Sequence, residues 1–220
     1  MSDQFEGRKA AEAAQGAPLG DDARALLAGD PDLRRYLETL LTSGLFADAV
    51  RTLAHALPKR EAVWWACQCA RQAHGATPPG PIAAAIAAAE RWAAETEEPN
   101  RREAEASAIA AGVGTPAGCA AMAAFWGGGS LGPPNIQDVP PPEGLTARGV
   151  SGSVLLAAVL SEPEKAAEKF RQFVALGLEV ASGANCWSTT VPPRLRPSPT
   201  APIPAGRPIS GPSRRVDTWE

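Results

Sequence analysis

Residues 58–75, PKREAVWWACQCARQAHG, carry the clearest structural signal in the chain. Pro58 stands where a helix tolerates proline, in its first turn, and Gly75 stands where helices commonly end. Between these two residues the apolar side chains recur at the spacing of one helix face. We therefore predict a helix from Pro58 to His74.

The two faces of this predicted helix differ, and one tryptophan lies on the unexpected face. At about 100° per residue the apolar residues share one broad face, which predicts that it is buried. Trp64 lies instead in the middle of the polar face, between Arg60 and Arg71. An arginine can stack on an exposed indole, and Trp and Arg are enriched at interaction hot spots. We predict a partner-binding surface of Arg60, Trp64, Gln68 and Arg71. In the alternative, a neighbouring helix or the 127–144 loop covers Trp64 and makes it a core residue.

Similar start and stop signals extend to both sides of this helix. Asp and Pro residues mark helix starts, and Gly or Pro-Pro-Gly-Pro breaks separate one helix from the next. The predicted helices cover residues 21–27, 32–43, 45–57, 81–97, 99–111, 115–126, 146–160 and 163–182. Alanine, a strong helix former, supplies an unusual share of the 45% hydrophobic residues.

The fold class predicted from this pattern is all-α. We expect about seven to eight helices, packed either as a bundle or as a small solenoid of helix pairs. The bundle is favoured because the sequence shows no fixed repeat period.

Three compositional regions divide the chain. Residues 1–20 are polar with scattered alanine, and we expect a flexible leader there. Residues 21–183 form the predicted helical domain, interrupted at 127–144 by a stretch too rich in glycine and proline for a regular element. Residues 184–220 are rich in proline and arginine and predict a disordered tail. Trp219 near its end fits a short linear motif, so we add Trp219 to the predicted partner-binding residues.

Composition argues against several functional classes. A net charge of −3 and an isoelectric point near 5.5 give no footprint for nucleic acid, so we expect no nucleic-acid partner. No stretch approaches the roughly 18–20 apolar residues of a membrane span, and we expect no membrane insertion. The polar N-terminus lacks the apolar core of an export signal. The four cysteines do not resemble a disulfide framework, and reduced thiols fit a cytoplasmic location.

Candidate catalytic and metal-binding residues are few. Cys67 and Cys69 point about 160° apart on a helix, and His74 lies more than a turn beyond, so the three cannot share one ion. The glycines at 112 and 114 follow a predicted helix rather than a strand and lack the Lys-Ser/Thr ending of a phosphate loop. We therefore predict no catalytic residue, no metal site and no cofactor.

Residues 57–67, LPKREAVWWAC, resemble the signature of an uncharacterised family of bacterial all-helical proteins. Segments similar to Phe125-Trp126 with Gly-Gly-Ser-Leu, and to residues 145–150, LTARGV, also recur in that family, and the resemblance covers about residues 30–182. It implies a bacterial cytoplasmic α-domain, accessory to a larger assembly such as a secretion apparatus. It implies no catalytic or binding residue.

Three functional hypotheses remain open at this stage. The first is a non-enzymatic interaction or adaptor protein that uses the Trp64 surface or the tail to bind a protein partner. The second is a ligand-binding protein or enzyme with a pocket between helices, the 127–144 loop as a lid, and Arg60, Glu61 or Arg148 as polar groups. The third is a structural subunit that forms homo-oligomers through its alanine-rich faces.

Overall fold

The computed structural model describes residues 4–133 and 137–183, and within these residues the fold is all-α. Ten α-helices are present there, with no strand beyond an isolated bridge between Lys9 and Asp32. The helices are α1 (Ala10–Ala13), α2 (Asp21–Ala25), α3 (Leu33–Thr42), α4 (Phe46–Ala56), α5 (Lys59–His74), α6 (Gly80–Ala94), α7 (Glu98–Ala111), α8 (Pro116–Phe125), α9 (Leu145–Val159) and α10 (Ala166–Ala181). Short 3₁₀ turns follow α2 at Leu26–Gly29 and precede α10 at Pro163–Lys165. The all-α prediction is confirmed.

Helix α5 is the centre of the bundle. It packs against α6, α8, α9 and α10. Trp65 is completely buried and donates a 2.7 Å hydrogen bond from its indole Nε1 to the carbonyl oxygen of Phe173 in α10. Cys67 and Cys69 are also buried, so α5 buries more of its circumference than a two-faced surface helix does.

Side-chain and backbone caps set the ends of several helices. Asp32 accepts a hydrogen bond from the backbone N–H of Arg35 at the start of α3, and Thr115 accepts one from Gly118 at the start of α8. Each bond satisfies a donor that the helix itself leaves unpaired. Gly75 follows α5 with a φ of 73°, a conformation that glycine adopts without strain.

Small residues let the central helices approach closely. Alanine supplies much of the buried core, and glycine is required at the tightest contacts. A Cβ atom added to Gly177 in α10 would lie 2.6 Å from Leu53 Cδ2 and 2.9 Å from Trp65 Cε2. Both distances are shorter than real contacts, so the approach of α10 to α5 depends on glycine.

The packed structure begins earlier than the sequence analysis placed it. Phe5 is only 1% exposed, and Ala10 and Ala13 of α1 are buried. The backbone N–H of Ala10 donates to Pro31, and Arg8 donates from its side chain to Ala56. The predicted flexible leader therefore contributes to the core from residue 5 onward. In this part its apolar residues are mostly alanine, and the two large ones, Phe5 and Leu19, are far apart, so they form no amphipathic stripe of large side chains.

The ten helices of the described residues exceed the predicted seven to eight. The four-residue α1 lies in the predicted leader, whereas the five-residue α2 lies within the predicted helix 21–27. Helices this short gain their stability from packing rather than from their own propensity. The C-terminal tail from residue 184, with Trp219, lies outside the described residues. Across the described ranges no helix is long and apolar enough to cross a membrane.

Candidate functional site

Two arginines of the predicted Trp64 surface attach α5 to α6. Arg60 donates from Nε to the carbonyl oxygen of Ala93 and from Nη2 to that of Ala94, at 2.7 and 2.8 Å. These carbonyls belong to the last turn of α6, which has no donors of its own for them. Arg71 forms a bidentate pair with the buried carboxylate of Glu90, at 2.7 and 2.6 Å.

Trp64 and Gln68 lie between these arginines on α5, and both are half-buried. Trp64 packs against the edge of the hydrophobic core. The structure brings Arg60, Trp64, Gln68 and Arg71 together on one side of α5, but it gives both arginines contacts within the fold. Partner binding by this surface stays a prediction, and Trp219 lies outside the described residues.

A second surface, which we call the α8–α9 groove, was not predicted from the sequence. It is a half-open cavity of about 450 Å³ between α8 and α9. Its lining residues are Val113, Cys119, Met122, Trp126, Leu145, Arg148, Gly149 and Gly152. Seven of these eight residues are uncharged, and Arg148 supplies the one charge of the lining.

Hydrogen bonds fix the register of the two helices that form the groove. The hydroxyl of Thr146 at the start of α9 donates to the carbonyl oxygen of Trp126, directly after α8, at 2.9 Å. Farther along α9, the hydroxyl of Ser153 donates to Pro116 at the start of α8, at 2.7 Å. The start of α9 therefore lies beside the end of α8, and the two helices run antiparallel.

Two glycines of α9 form the floor of the groove. A Cβ atom at Gly149 would lie 2.9 Å from the Cβ of Ala123 and 3.1 Å from Trp126, so glycine allows the close approach of the helices. A Cβ atom at Gly152 would lie 3.7 Å from the Sγ of Cys119, an ordinary contact. The missing side chain at Gly152 leaves open space in the groove, whereas glycine at position 149 lets α8 and α9 approach closely.

Large apolar side chains are exposed in the lining of the groove and in the last turn of α7. Val113 lines the groove and is 56% exposed, and Ile109 in the last turn of α7 is 66% exposed. The Sγ of Cys119 donates to the carbonyl oxygen of Val113 at 3.1 Å, which fixes this segment beside α8. The lining of the groove thus exposes at least one large apolar side chain, Val113, that the bundle itself does not cover.

The electrostatics of the groove are simple. Arg148 is exposed, and among the described residues its side chain forms no hydrogen bond or salt bridge. Burial raises the pKa of the Cys119 thiol, so this thiol is protonated at neutral pH and is a poor nucleophile. The groove can therefore bind an apolar group that carries a negative charge, and its thiol is not activated for covalent chemistry.

A second cavity, of about 490 Å³, lies near the start of α5 and is more polar. Its lining includes Lys59, Arg60, Trp92, Glu98, Arg101 and Gly127–Gly129. Lys59 donates to the carbonyl oxygen of Gly127 at 3.1 Å, and Arg101 is paired with Glu98. The positive charges of this cavity are already engaged by the fold, which makes it a weaker candidate for a binding site.

The 127–144 loop was predicted as a lid, and its first part is attached to α7. Arg101 and Arg102 both donate to the carbonyl oxygen of Ser130, at 2.9 and 3.0 Å, and Arg102 also donates to Gly132. The polar groups predicted for one pocket are separated: Arg148 lines the α8–α9 groove, whereas Arg60 lines the second cavity. Glu61 is half-buried on α5 and is absent from the lining of both cavities.

Residues that could bind a metal do not come together in the part of the chain that is described. No group of three His, Cys, Asp or Glu side chains there is placed to hold an ion. The thiols of Cys67 and Cys69 are buried, and burial raises the pKa of each well above its ordinary value.

A family model described as "Family of unknown function (DUF6931)" matches residues 36–181. No curated protein and no solved structure matches the chain. The matched range runs from α3 to the end of α10, so it includes the Trp64 surface and the whole α8–α9 groove.

Proposed function

The chain belongs to DUF6931, a family of unknown function, and from this premise we propose that it is a non-enzymatic interaction protein with the α8–α9 groove as its docking surface. In this proposal the helical bundle is a rigid carrier, and an apolar segment of a partner protein fills the groove. The chain acts as an adaptor within a bacterial cytoplasmic assembly, of which a secretion apparatus is one example.

One observation carries the proposal: the bundle leaves an open apolar groove, and Val113 in its lining is 56% exposed. Exposed apolar surface costs solubility, and larger continuous patches in soluble proteins mark sites of interaction. Trp126 and Met122 in the lining are residue types enriched at protein interfaces. The Trp64 surface is the weaker candidate because Arg60 and Arg71 are engaged in holding α6.

A variant that fills the groove tests this proposal. Gly152→Leu adds a side chain to the floor of the groove, where the first added carbon has room. The matched control is Ala84→Leu, which adds a similar side chain at an exposed position of α6. Affinity capture from a lysate of the source organism, quantified by mass spectrometry, should show a protein that is retained by Ala84→Leu and lost with Gly152→Leu.

A Trp64→Ala variant in the same experiment distinguishes the two surfaces. If the captured protein is lost with Trp64→Ala and retained with Gly152→Leu, the docking surface is the one predicted on α5 and the groove proposal is wrong. If sedimentation of the purified chain shows concentration-dependent dimers that Gly152→Leu abolishes, the groove binds a second copy, and the self-associating subunit replaces the adaptor.

The volume of the groove supports one alternative, a small-ligand binder. Its 450 Å³ falls within the range of about 300–1,000 Å³ that is typical of ligand pockets, and Arg148 offers a polar contact. A ligand that binds the native state raises the melting temperature by mass action. Stabilisation by an apolar carboxylic acid that Gly152→Leu abolishes, together with no protein capture, would favour this alternative.

A further inference from the structure

We infer that the occupant of the α8–α9 groove is an amphipathic helix with acidic residues beside its apolar stripe, an inference that rests on the proposed function. The geometry of the groove points to the helix, and the charge of Arg148 points to the acidic residues.

The walls of the groove favour a helical partner over an extended one. Both walls are α-helices, Pro116–Phe125 and Leu145–Val159. The interior backbone groups of a helix are hydrogen-bonded within it, so neither wall offers the free strand edge that an extended peptide needs. A helix satisfies its own backbone and presents only side chains, which matches an apolar lining.

The length of the groove sets the spacing of the apolar side chains with which a partner helix would fill it. On α9 its lining runs from Leu145 to Gly152, a separation of seven residues. At 1.5 Å per residue this is about 10 Å, or two helical turns. A partner helix lying along the groove would place apolar side chains at i, i+3 or i+4, and i+7 over the same length, the usual spacing of helix-in-groove anchors.

The positive charge of the lining favours acidic residues beside the apolar side chains of the partner helix. Arg148 lies between the two ends of the groove on α9, is exposed, and forms no salt bridge within the described residues. The other lining residues are uncharged, so an acidic side chain near Arg148 meets no competing carboxylate in the lining. A guanidinium binds a carboxylate through two parallel N–H···O bonds, so the contact is directional as well as attractive.

Designed peptides test the inference with the full chain. The probe is a fluorescein-labelled Ala/Lys/Gln helix of about 18 residues, five turns, with leucines at i, i+4 and i+7 and glutamates on both sides of the stripe. A matched peptide carries glutamine in place of each glutamate. A third peptide keeps the glutamates but has two prolines that prevent helix formation. Fluorescence anisotropy gives the Kd of each peptide.

The expected result is that the glutamate peptide binds about five-fold more tightly than the glutamine peptide, the size of effect that an exposed ion pair produces. Arg148→Gln should remove this difference, whereas Arg24→Gln, at an exposed position of α2, should preserve it. Gly152→Leu should weaken both helical peptides, and the proline peptide should not bind.

Each part of the inference has an outcome that overturns it. If the glutamate and glutamine peptides bind equally well, the occupant need not be acidic. If the proline peptide binds as well as the helical peptides, the occupant need not be a helix. If the wild-type chain binds none of the peptides, the amphipathic helix is wrong. The proposed function is tested separately, because a protein captured from lysate and lost with Gly152→Leu supports docking in the groove whatever the peptides show.

Discussion

The guanidinium of Arg101 donates a 2.8 Å hydrogen bond to the carbonyl oxygen of Phe125 and lies 4.6 Å from the centre of the Phe125 ring. Arg101 is 3% exposed as a side chain, pairs with Glu98 on its own helix, and donates to the carbonyl oxygen of Ser130. One buried charge on α7 therefore fixes both the end of α8 and the start of the loop that leads to α9.

Replacing Arg101 with methionine should destabilise the fold strongly. The change leaves the carbonyl oxygens of Phe125 and Ser130 without this donor, and each buried unsatisfied group costs about 1–3 kcal/mol. Arg102 still donates to Ser130, so we expect a total loss of about 2–4 kcal/mol in the free energy of unfolding. Urea denaturation followed by circular dichroism measures it. A loss below that of the exposed-site control Arg171→Met would contradict this role.

Glu98 should make stability depend on pH in the acid range. Hydrogen bonds from Arg101, and then from Arg102, lower the pKa of Glu98 from 4.5 to about 2. The lowered pKa means that this stabilisation is complete above about pH 4.5 and is lost as the pH falls towards 2. Wild type should therefore exceed Glu98→Gln in the free energy of unfolding at pH 7, and the difference should shrink towards pH 3. A difference that stays the same from pH 7 to pH 3 would contradict this role of Glu98.

His55 should act in a separate, higher pH range. Burial lowers the pKa of His55 below its usual 6.5, and the charge of Arg148 adds to this effect. The unfolded chain then binds a proton before the native state does, so stability falls as the pH drops below about 6.5. Burial also lowers the pKa of His74, the other histidine of the chain. Between pH 7 and 5 the melting temperature should fall much less in a His55→Gln/His74→Gln variant than in wild type. If it falls equally in both, groups other than the histidines cause the decrease.

The sequence predicted the larger helices well because their ends carry local signals. Pro58 and Gly75 bound α5 within a residue of the prediction, and Thr115-Pro116 marks the start of α8. Capping and proline geometry act within one turn of the chain, so they can be detected without the tertiary structure. The packing of Phe5 depends on contacts that no local pattern contains.

The α8–α9 groove could not be predicted in the same way. Its lining comes from three separate segments, and two of its lining residues, Gly149 and Gly152, contribute no side chain. The two glycines three residues apart in a predicted helix were a signal for close helix packing, since glycine is costly in a helix interior. The four residues of the Trp64 surface share one side of α5, and partner binding there stays a prediction; the contacts of Arg60 and Arg71 with α6 depend on the fold.

The same substitution at two helical glycines should have opposite effects. An alanine Cβ at Gly177 would lie 2.6 Å from Leu53 and 2.9 Å from Trp65, so either α10 or these side chains must shift. Overpacking of this kind costs about 1–3 kcal/mol and outweighs the helix propensity that alanine adds. Gly152→Ala has room beside Cys119 and should raise the free energy of unfolding by about 0.5–1 kcal/mol. Urea denaturation of both variants measures the difference, and stabilisation by Gly177→Ala would contradict the close packing of α10.

The adjacent tryptophans of α5 should differ in their contributions to stability. Trp65 is fully buried and its indole donates to the carbonyl oxygen of Phe173, so Trp65→Ala should cost about 3–5 kcal/mol. Trp64 is half-buried, so Trp64→Ala should cost about half as much, since less apolar area returns to water. Urea denaturation of both variants, with helicity measured before unfolding, compares the two costs. Equal costs would show that Trp64 is a core residue and would contradict the surface predicted around it. A small cost would mean that Trp64 is available for a partner, and the capture experiment with Trp64→Ala then tests that surface.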